Sequence, residues 1–231
     1  MLVPNDIDTR ILKRSQSLCD KLHANWQPDQ FPFDCFIGGG AISGEVGGAV
    51  RDIDMFPVGN CIIPAPDVDL IVETRNAITY NTQPHALQVC DYRFLVIEEL
   101  VQNFDFSHNQ IAIGATFDRD SVEIHELHYT AQFIWAKCNN TTSYECSNYP
   151  ISSLIRAAKY RERGLLKGVD YAKTVMEILA DIVSLKIETL EEFSDHIRAV
   201  DLGLFEELEG SEEFNLLFLN LVKKEEQTKK C

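Results

Sequence analysis

Ile7, Ile11, Leu18 and Leu22 recur at intervals of four and seven residues, with polar positions between them. That spacing predicts an amphipathic helix from Asp6 to about Trp26, with one apolar stripe. Two prolines in "QPDQFPFD" stop it. The pattern then changes. "FDCFIGG" is a short apolar strand running into glycines, "AISGEVGG" a brief helix or turn, and "VRDIDMFPV" a second strand. After the loop "GNCIIPAP", three more strands are expected in "DVDLIVET", "NAITYN" and "ALQVC". "FLVIEELVQNF" returns to helical spacing, and "FSHNQIAIGAT" with "SVEIHELHY" predicts a hairpin about Asp118-Arg119-Asp120. From Ile151 onward the pattern is helical. One helix contains "LIRAAKYRERG" and closes at Gly164, the capping-box spacing of Thr189 and Glu192 opens another, and Ser211 opens a last one before a polar tail.

Strands followed by helices predict an α+β protein: a small mixed β-sheet with flanking helices, then a C-terminal helical region. The expected division is 1–149, including the helix over 6–26, and 150–231. No low-complexity linker separates the two, so the junction near Tyr149 is expected to be packed.

Composition narrows the classes of function. The chain has 231 residues, 45% of them hydrophobic and 25% charged, as in an ordinary globular protein. No stretch approaches the roughly 20 apolar residues of a membrane helix, and the charged N-terminus does not look like an export signal. The seven cysteines contain no C-x-x-C and are expected to be free thiols, which places the protein in a reducing cytoplasm. A formal net charge of −15 disfavours extended nucleic-acid binding, which depends on Lys and Arg neutralising phosphates. A nucleotide held through a metal ion is not disfavoured in this way.

The segment "CFIGGGAISGEVGGAVRDIDMF" carries the candidate chemistry, with glycines at 38, 39, 40, 44, 47 and 48 ahead of Asp52 and Asp54. Alternate residues of a strand share a face, so the two carboxylates point the same way and repel unless a cation joins them. Mg²⁺ favours oxygen ligands together with substrate phosphates. Glycine amides can approach a triphosphate without interference from a Cβ. Such parts in this order suit phosphoryl or nucleotidyl transfer.

The order of these blocks resembles the nucleotidyltransferase superfamily with the DNA polymerase β-like fold. The likeness is to its poly(A) polymerase head and CCA-adding branch, and most of all to the phage-encoded members. "FIGGGAIS…DIDMF" is similar to the family's strand, Gly-Gly turn, short helix and Asp-x-Asp strand. "ETRNAITY", "LQV", "NFDFSHNQIAI" and "LIRAAKYRERGL" resemble its later blocks, so the likeness covers about Phe33 to Leu165. It implies that Asp52, Asp54 and Asp105 are catalytic and ligate metal, in a two-metal Mg²⁺ site with Mn²⁺ as the substitute. Gly39, Gly40, Ser43, Asn109, Arg156 and Lys159 would bind the nucleotide, with Tyr160 at the aromatic position. If the chain is phage-encoded, its cytoplasm is the host's.

The sequence departs from that pattern in several places. The family's Arg-Asp after Gly-Gly-x-x is missing at Ser43-Gly44, and the Arg-Arg before its Asp-Phe is Asn103-Phe104 here. "GGAVRD" spells the first motif later, which leaves a rival register with Asp67 and Asp69 as the acidic pair. Asp52 and Asp54 are preferred because the segment before Gly38 is a strongly apolar strand and "AISGE" is not. Asp118 and Asp120 are expected to be turn residues. His125 and His128, three apart on a strand, are expected on opposite faces and so unable to share a metal.

The expected activity is transfer of a nucleoside monophosphate from an NTP to an acceptor hydroxyl, with release of pyrophosphate. The acceptor is a small molecule, a protein or an RNA end. The alternative is a catalytically idle nucleotide-sensing or partner-binding module that keeps the fold.

Overall fold

The computed structural model describes residues 4–25, 31–44, 52–73, 77–83 and 85–185, together with positions 189 and 192. The chain divides into two compact units, Met1–Cys146 and Ser147–Cys231.

The first unit is an α+β structure. Helix α1 (Pro4–Asn25) buries Ile11, Ser15, Cys19 and Leu22, one stripe at helical spacing. Strand β1 (Phe33–Gly38) leads into a single helical turn, α2 (Gly40–Ser43). Strands β2 (Asp52–Pro57), β3 (Leu70–Glu73), β4 (Ala77–Tyr80) and β5 (Ala86–Cys90) follow, then helix α3 (Ile97–Gln102). A short 3₁₀ turn, Ser107–Asn109, precedes the hairpin of β6 (Ile111–Phe117) and β7 (Val122–Tyr129), and helix α4 (Ala131–Asn139) comes next. The hydrophobic pattern leaves α4 unassigned, yet its ends carry ordinary signals. The Thr130 hydroxyl accepts from the Phe133 amide at 3.1 Å, and Asn140 closes the helix in the left-handed region at φ 50°.

The seven strands form one sheet in the order β3-β4-β5-β2-β1-β6-β7. Among these strands β2 and β5 pair parallel and the other neighbours antiparallel. The sheet has two buried faces, which bury different sets. Cys35, Ile37, Ile53, Met55, Leu87, Ile113 and Phe117 pack with Leu22 of α1 and Phe133 of α4. The alternate residues Phe36 and Phe56 pack with Ile97, Leu100 and Val101 of α3. Alternation along β2 therefore puts Asp52 and Asp54 on the α3 face, in line with Phe56. In the hairpin the register steps from Gly114↔Glu126 to Ala115↔Ile124, which leaves His125 as a bulge. The bulge carries the His125 ring over Gly114, where a Cβ would meet Nε2 at 2.9 Å. The opposite-face expectation for His125 and His128 fails because it assumed an unbroken strand. His128 lies 3.6 Å from Glu98 of α3.

The second unit contains α5 (Pro150–Glu162) and α6 (Gly168–Ser184). Pro150 sits in the first turn of α5, and Gly164 at φ 73° lets the chain leave that helix. The Arg161 guanidinium lies 4.6 Å from the centre of the Tyr171 ring, tying the helices across their connection. Beyond α6 the capping box is present. The Thr189 amide donates to Glu192 Oε2, and the Glu192 amide to Thr189 Oγ1, each at 3.1 Å. The segment from Glu45 to Arg51, including "GGAVR", the helix expected at Ser211 and the polar tail lie outside the described residues.

The six described cysteines are all free thiols. Cys19, Cys35 and Cys90 are buried while Cys138 and Cys146 are exposed. Burial, then the Asp20 charge, push the Cys19 thiol up to about 12, and burial pushes Cys35 and Cys90 well above the ordinary range. A thiol-reactive probe at pH 8 is therefore expected to label Cys138 and Cys146 quickly, and Cys19, Cys35 and Cys90 only after denaturation. Peptide mapping decides this, and fast labelling of Cys35 in the native protein would contradict the packing described.

Candidate functional site

The site is built where β1 ends beside the start of β2. Gly38 pairs with Asp54, so the carboxylate stands next to the point where the chain leaves the sheet. Gly39 then turns with φ 70° and ψ −141°, a conformation that strains any residue with a Cβ. Its amide donates to the Ile111 carbonyl of β6 at 3.0 Å. A Cβ on Gly39 would lie 3.6 Å from Asp54 Oδ2, so a side chain at this turn would stand against the carboxylate. Asp52 is exposed and Asp54 half-buried, both on the α3 face.

The ring of Phe104 lies over these glycines. A Cβ on Gly38 would meet Phe104 Cζ at 2.7 Å, and one on Gly39 would meet Phe104 Cε1 at 3.3 Å. The glycines thus have a packing reason as well as a chemical one: only a bare backbone admits this ring. Sequence reasoning noted Phe104 merely as the replacement of an arginine.

Two further residues were missed. Register places Thr79 of β4, Gln88 of β5, Asp54 of β2 and Gly38 of β1 side by side on one face. Gln88 Nε2 donates to Thr79 Oγ1 at 3.3 Å, so a polar row extends from Asp54 toward the sheet edge. Alternation in "AITY" and "ALQVC" assigns each side chain to a face of its own strand. Which strands are neighbours decides that the row exists.

The other expected residues of this unit are placed as follows. Asp105 is buried just after α3, and its carbonyl accepts from the Glu145 amide at 2.9 Å. Asn109 ends the 3₁₀ turn, which packs against α2 and α4. The topology thus brings the "DFSHN" block to the glycine turn. Gly40 opens α2, and Ser43 is buried with its hydroxyl donating to the Gly40 carbonyl at 3.3 Å. That hydrogen bond keeps the Ser43 side chain within its own turn.

Arg156 and Lys159 lie three apart on α5 in the second unit, on one helix face, and both are half-buried. Tyr160 is buried there, its carbonyl accepting from the Leu165 amide at 2.9 Å.

Among the described residues no group of three or more His, Cys, Asp or Glu is placed to hold a metal ion. Register places Asp52 and Asp54 on one face beside the glycine turn, so these two carboxylates are the ones positioned there for a cation. Such a two-carboxylate set fits Mg²⁺, which keeps water and takes its remaining oxygens from substrate phosphates. It does not fit an ion that needs a closed cage of protein ligands.

The rival acidic pair lies elsewhere. Asp67 and Asp69 are exposed in the loop before β3, and the Asp69 carbonyl accepts from the Asn81 amide at 2.9 Å. Strand β3 is separated from β2 by β4 and β5. Three strand spacings amount to about 14 Å, too far for the two pairs to share an ion. Asp118 is a turn residue, its Oδ1 accepting from the Arg119 amide at 2.7 Å.

Among the described residues no helix is long and apolar enough to cross a membrane. No protein-family model matches the sequence, and no characterised protein matches it. The likeness to nucleotidyltransferases therefore rests on the order of motifs alone.

Proposed function

We propose that this chain is a metal-dependent nucleotidyltransferase that moves a nucleoside monophosphate from an NTP to an acceptor hydroxyl. The observation that carries the reading is the closeness of the positive-φ Gly39 turn to the Asp54 carboxylate, whose Oδ2 lies 3.6 Å from a Cβ position at that glycine. Phosphate approaches closely only where side chains are absent, and its charge is tolerated beside a carboxylate only when a cation is shared between them.

Asp52 and Asp54 would hold Mg²⁺, with Asp105 as the further ligand that the resemblance implies. When bound, the ion supplies charge neutralisation for the triphosphate and for the oxygens that attack and leave. The amides of Gly39 and Gly40 would orient the phosphates. Asp105 would accept the proton of the acceptor hydroxyl as its oxygen bonds to the α-phosphorus. The bond from that phosphorus to the β-phosphate oxygen breaks in the same displacement, releasing pyrophosphate. Arg156 and Lys159 are nucleotide-binding residues only as the resemblance implies. The acceptor is a small molecule, a protein or an RNA end, and the acidic chain disfavours a long polynucleotide footprint. Free thiols at the six described cysteines suit a cytoplasmic location.

One observation favours the second reading, a nucleotide-sensing module without turnover. An aromatic ring covers Gly38 where the family resemblance implies a cationic residue. A single experiment separates the two. The protein is incubated with each NTP labelled at the α-phosphate, Mg²⁺ and a cell extract. Label passing to a protein, RNA or small molecule, lost with EDTA, is the expected result. Saturable nucleotide binding with no labelled product for any NTP would select the sensor. No binding of any NTP would end both the transferase and the sensor and select a partner-binding module that keeps the fold.

A further inference from the structure

Helix α2 is one turn long, too short to hold itself by helical cooperativity. Its internal bonds run from the Ser43 amide to the Gly39 carbonyl at 2.9 Å and from the Gly44 amide to the Gly40 carbonyl at 3.2 Å. The next four carbonyls, of Ala41, Ile42, Ser43 and Gly44, lie at the end of the turn, where helical partners run out. All four are met by two cations from distant parts of the chain. Arg14 of α1 donates through Nη2 to the Ala41 carbonyl at 2.9 Å and to the Ile42 carbonyl at 3.0 Å. Lys137 of α4 donates through Nζ to the carbonyls of Ser43 and Gly44.

The arrangement is built rather than incidental. Gly44 has φ 60°, and a Cβ there would fall on the Arg14 guanidinium. Burial, and then the nearby Arg14 charge, push the Lys137 ammonium below its ordinary value. Two like charges are brought together in partial burial, and the negative end of the helical turn and its carbonyls offset their repulsion. The other end of the turn is fixed to β6 through the Gly39 amide.

We propose that Arg14 and Lys137 are positioning residues that clamp the carbonyl end of α2 and so hold the glycine turn against Asp54. Their consequence for nucleotide affinity rests on the nucleotidyl-transfer reading, whereas the clamp itself does not.

Amide hydrogen exchange reads the clamp in the free protein, and titration with Mg·ATP reads its consequence. Lys137→Gln is expected to speed exchange of the Ser43 and Gly44 amides at least about tenfold, the effect of losing one charge-assisted hydrogen bond, while β1 and β6 amides keep their rates. Mg·ATP affinity should fall about tenfold in the same variant, and Lys137→Arg should restore both readouts. If Lys137→Gln does not fold, Arg14→Lys is read in the same way, since it keeps a cation but loses the guanidinium fork. Unchanged exchange at Ser43 and Gly44 would overturn the clamp, as would equal acceleration throughout the sheet. Faster exchange with unchanged Mg·ATP affinity would overturn its link to the nucleotide. A wild-type protein that binds no Mg·ATP would defeat the functional reading, while the exchange data still decide the clamp.

Discussion

Asp54→Ala is expected to abolish metal-dependent nucleotide binding, whereas Asp69→Ala should leave it nearly intact. Asp54 stands beside Gly39 and shares the α3 face with Asp52, so its substitution removes a direct ligand of the ion. Losing an outer partner of a metal ligand already costs 10- to 100-fold, so loss of a direct ligand should cost roughly a hundredfold or more. Asp69 lies outside the strands, and its main-chain carbonyl, which the substitution retains, makes the hydrogen bond to Asn81. Calorimetric titration of ATP with Mg²⁺ and with EDTA measures both variants. Retained affinity in Asp54→Ala together with lost affinity in Asp69→Ala would reverse the assignment and make "GGAVRD" the relevant motif.

Gly38→Val is expected to destabilise the first unit by about 1–3 kcal/mol, the usual cost of forcing methyl groups into a packed core. The first added carbon would meet Phe104 Cζ at 2.7 Å and the Ile111 carbonyl at 3.3 Å, and Gly38 is paired on both sides, to β2 and β6. Little room remains for relaxation of the backbone. The ring is the softer neighbour, so Phe104→Ala in the same chain should recover part of the loss. The coupling between the two sites should fall within about 0.5–3 kcal/mol, as for residues in contact. Urea denaturation of the two single variants and the double variant measures it. Strict additivity would show that Phe104 does not sit on Gly38 as described. Gly38→Val should also displace the turn that carries Gly39, so nucleotide affinity should fall with stability.

Most of the local structure was legible along the chain. The stripe of α1, the alternation of β1 and β2, the hairpin of β6 and β7, and the capping box at Thr189 and Glu192 each depend on residues within a few positions of one another. Period, turn chemistry and cap spacing express such short-range preferences directly in the sequence. The adjacency of the glycine turn to Asp54 was also legible, because strand, turn and strand follow in order. Helix α4 was missed although Thr130 and Asn140 mark its ends, since nine residues with little apolar contrast give periodicity too little to work on.

What tertiary structure alone decided lies in pairings between segments far apart in the chain. The parallel pairing of β2 with β5 sets Gln88 beside Asp54, and the antiparallel pairing of β4 with β5 sets Thr79 beside Gln88. No local preference encodes which strands become neighbours, because that choice depends on closing long loops against the gain of burying two faces of a sheet. The same holds for Phe104 lying over Gly38 and for Arg14 and Lys137 meeting on α2 from positions 27 and 94 residues away from the carbonyls they bind. The bulge at His125 likewise arises where two strands must stay paired with one residue too many between them. A sequence states what each side chain can do. Only the packed chain decides which carbonyl, ring or carboxylate it meets, because burial makes each unmet polar group and each overlapping atom costly enough to select one arrangement.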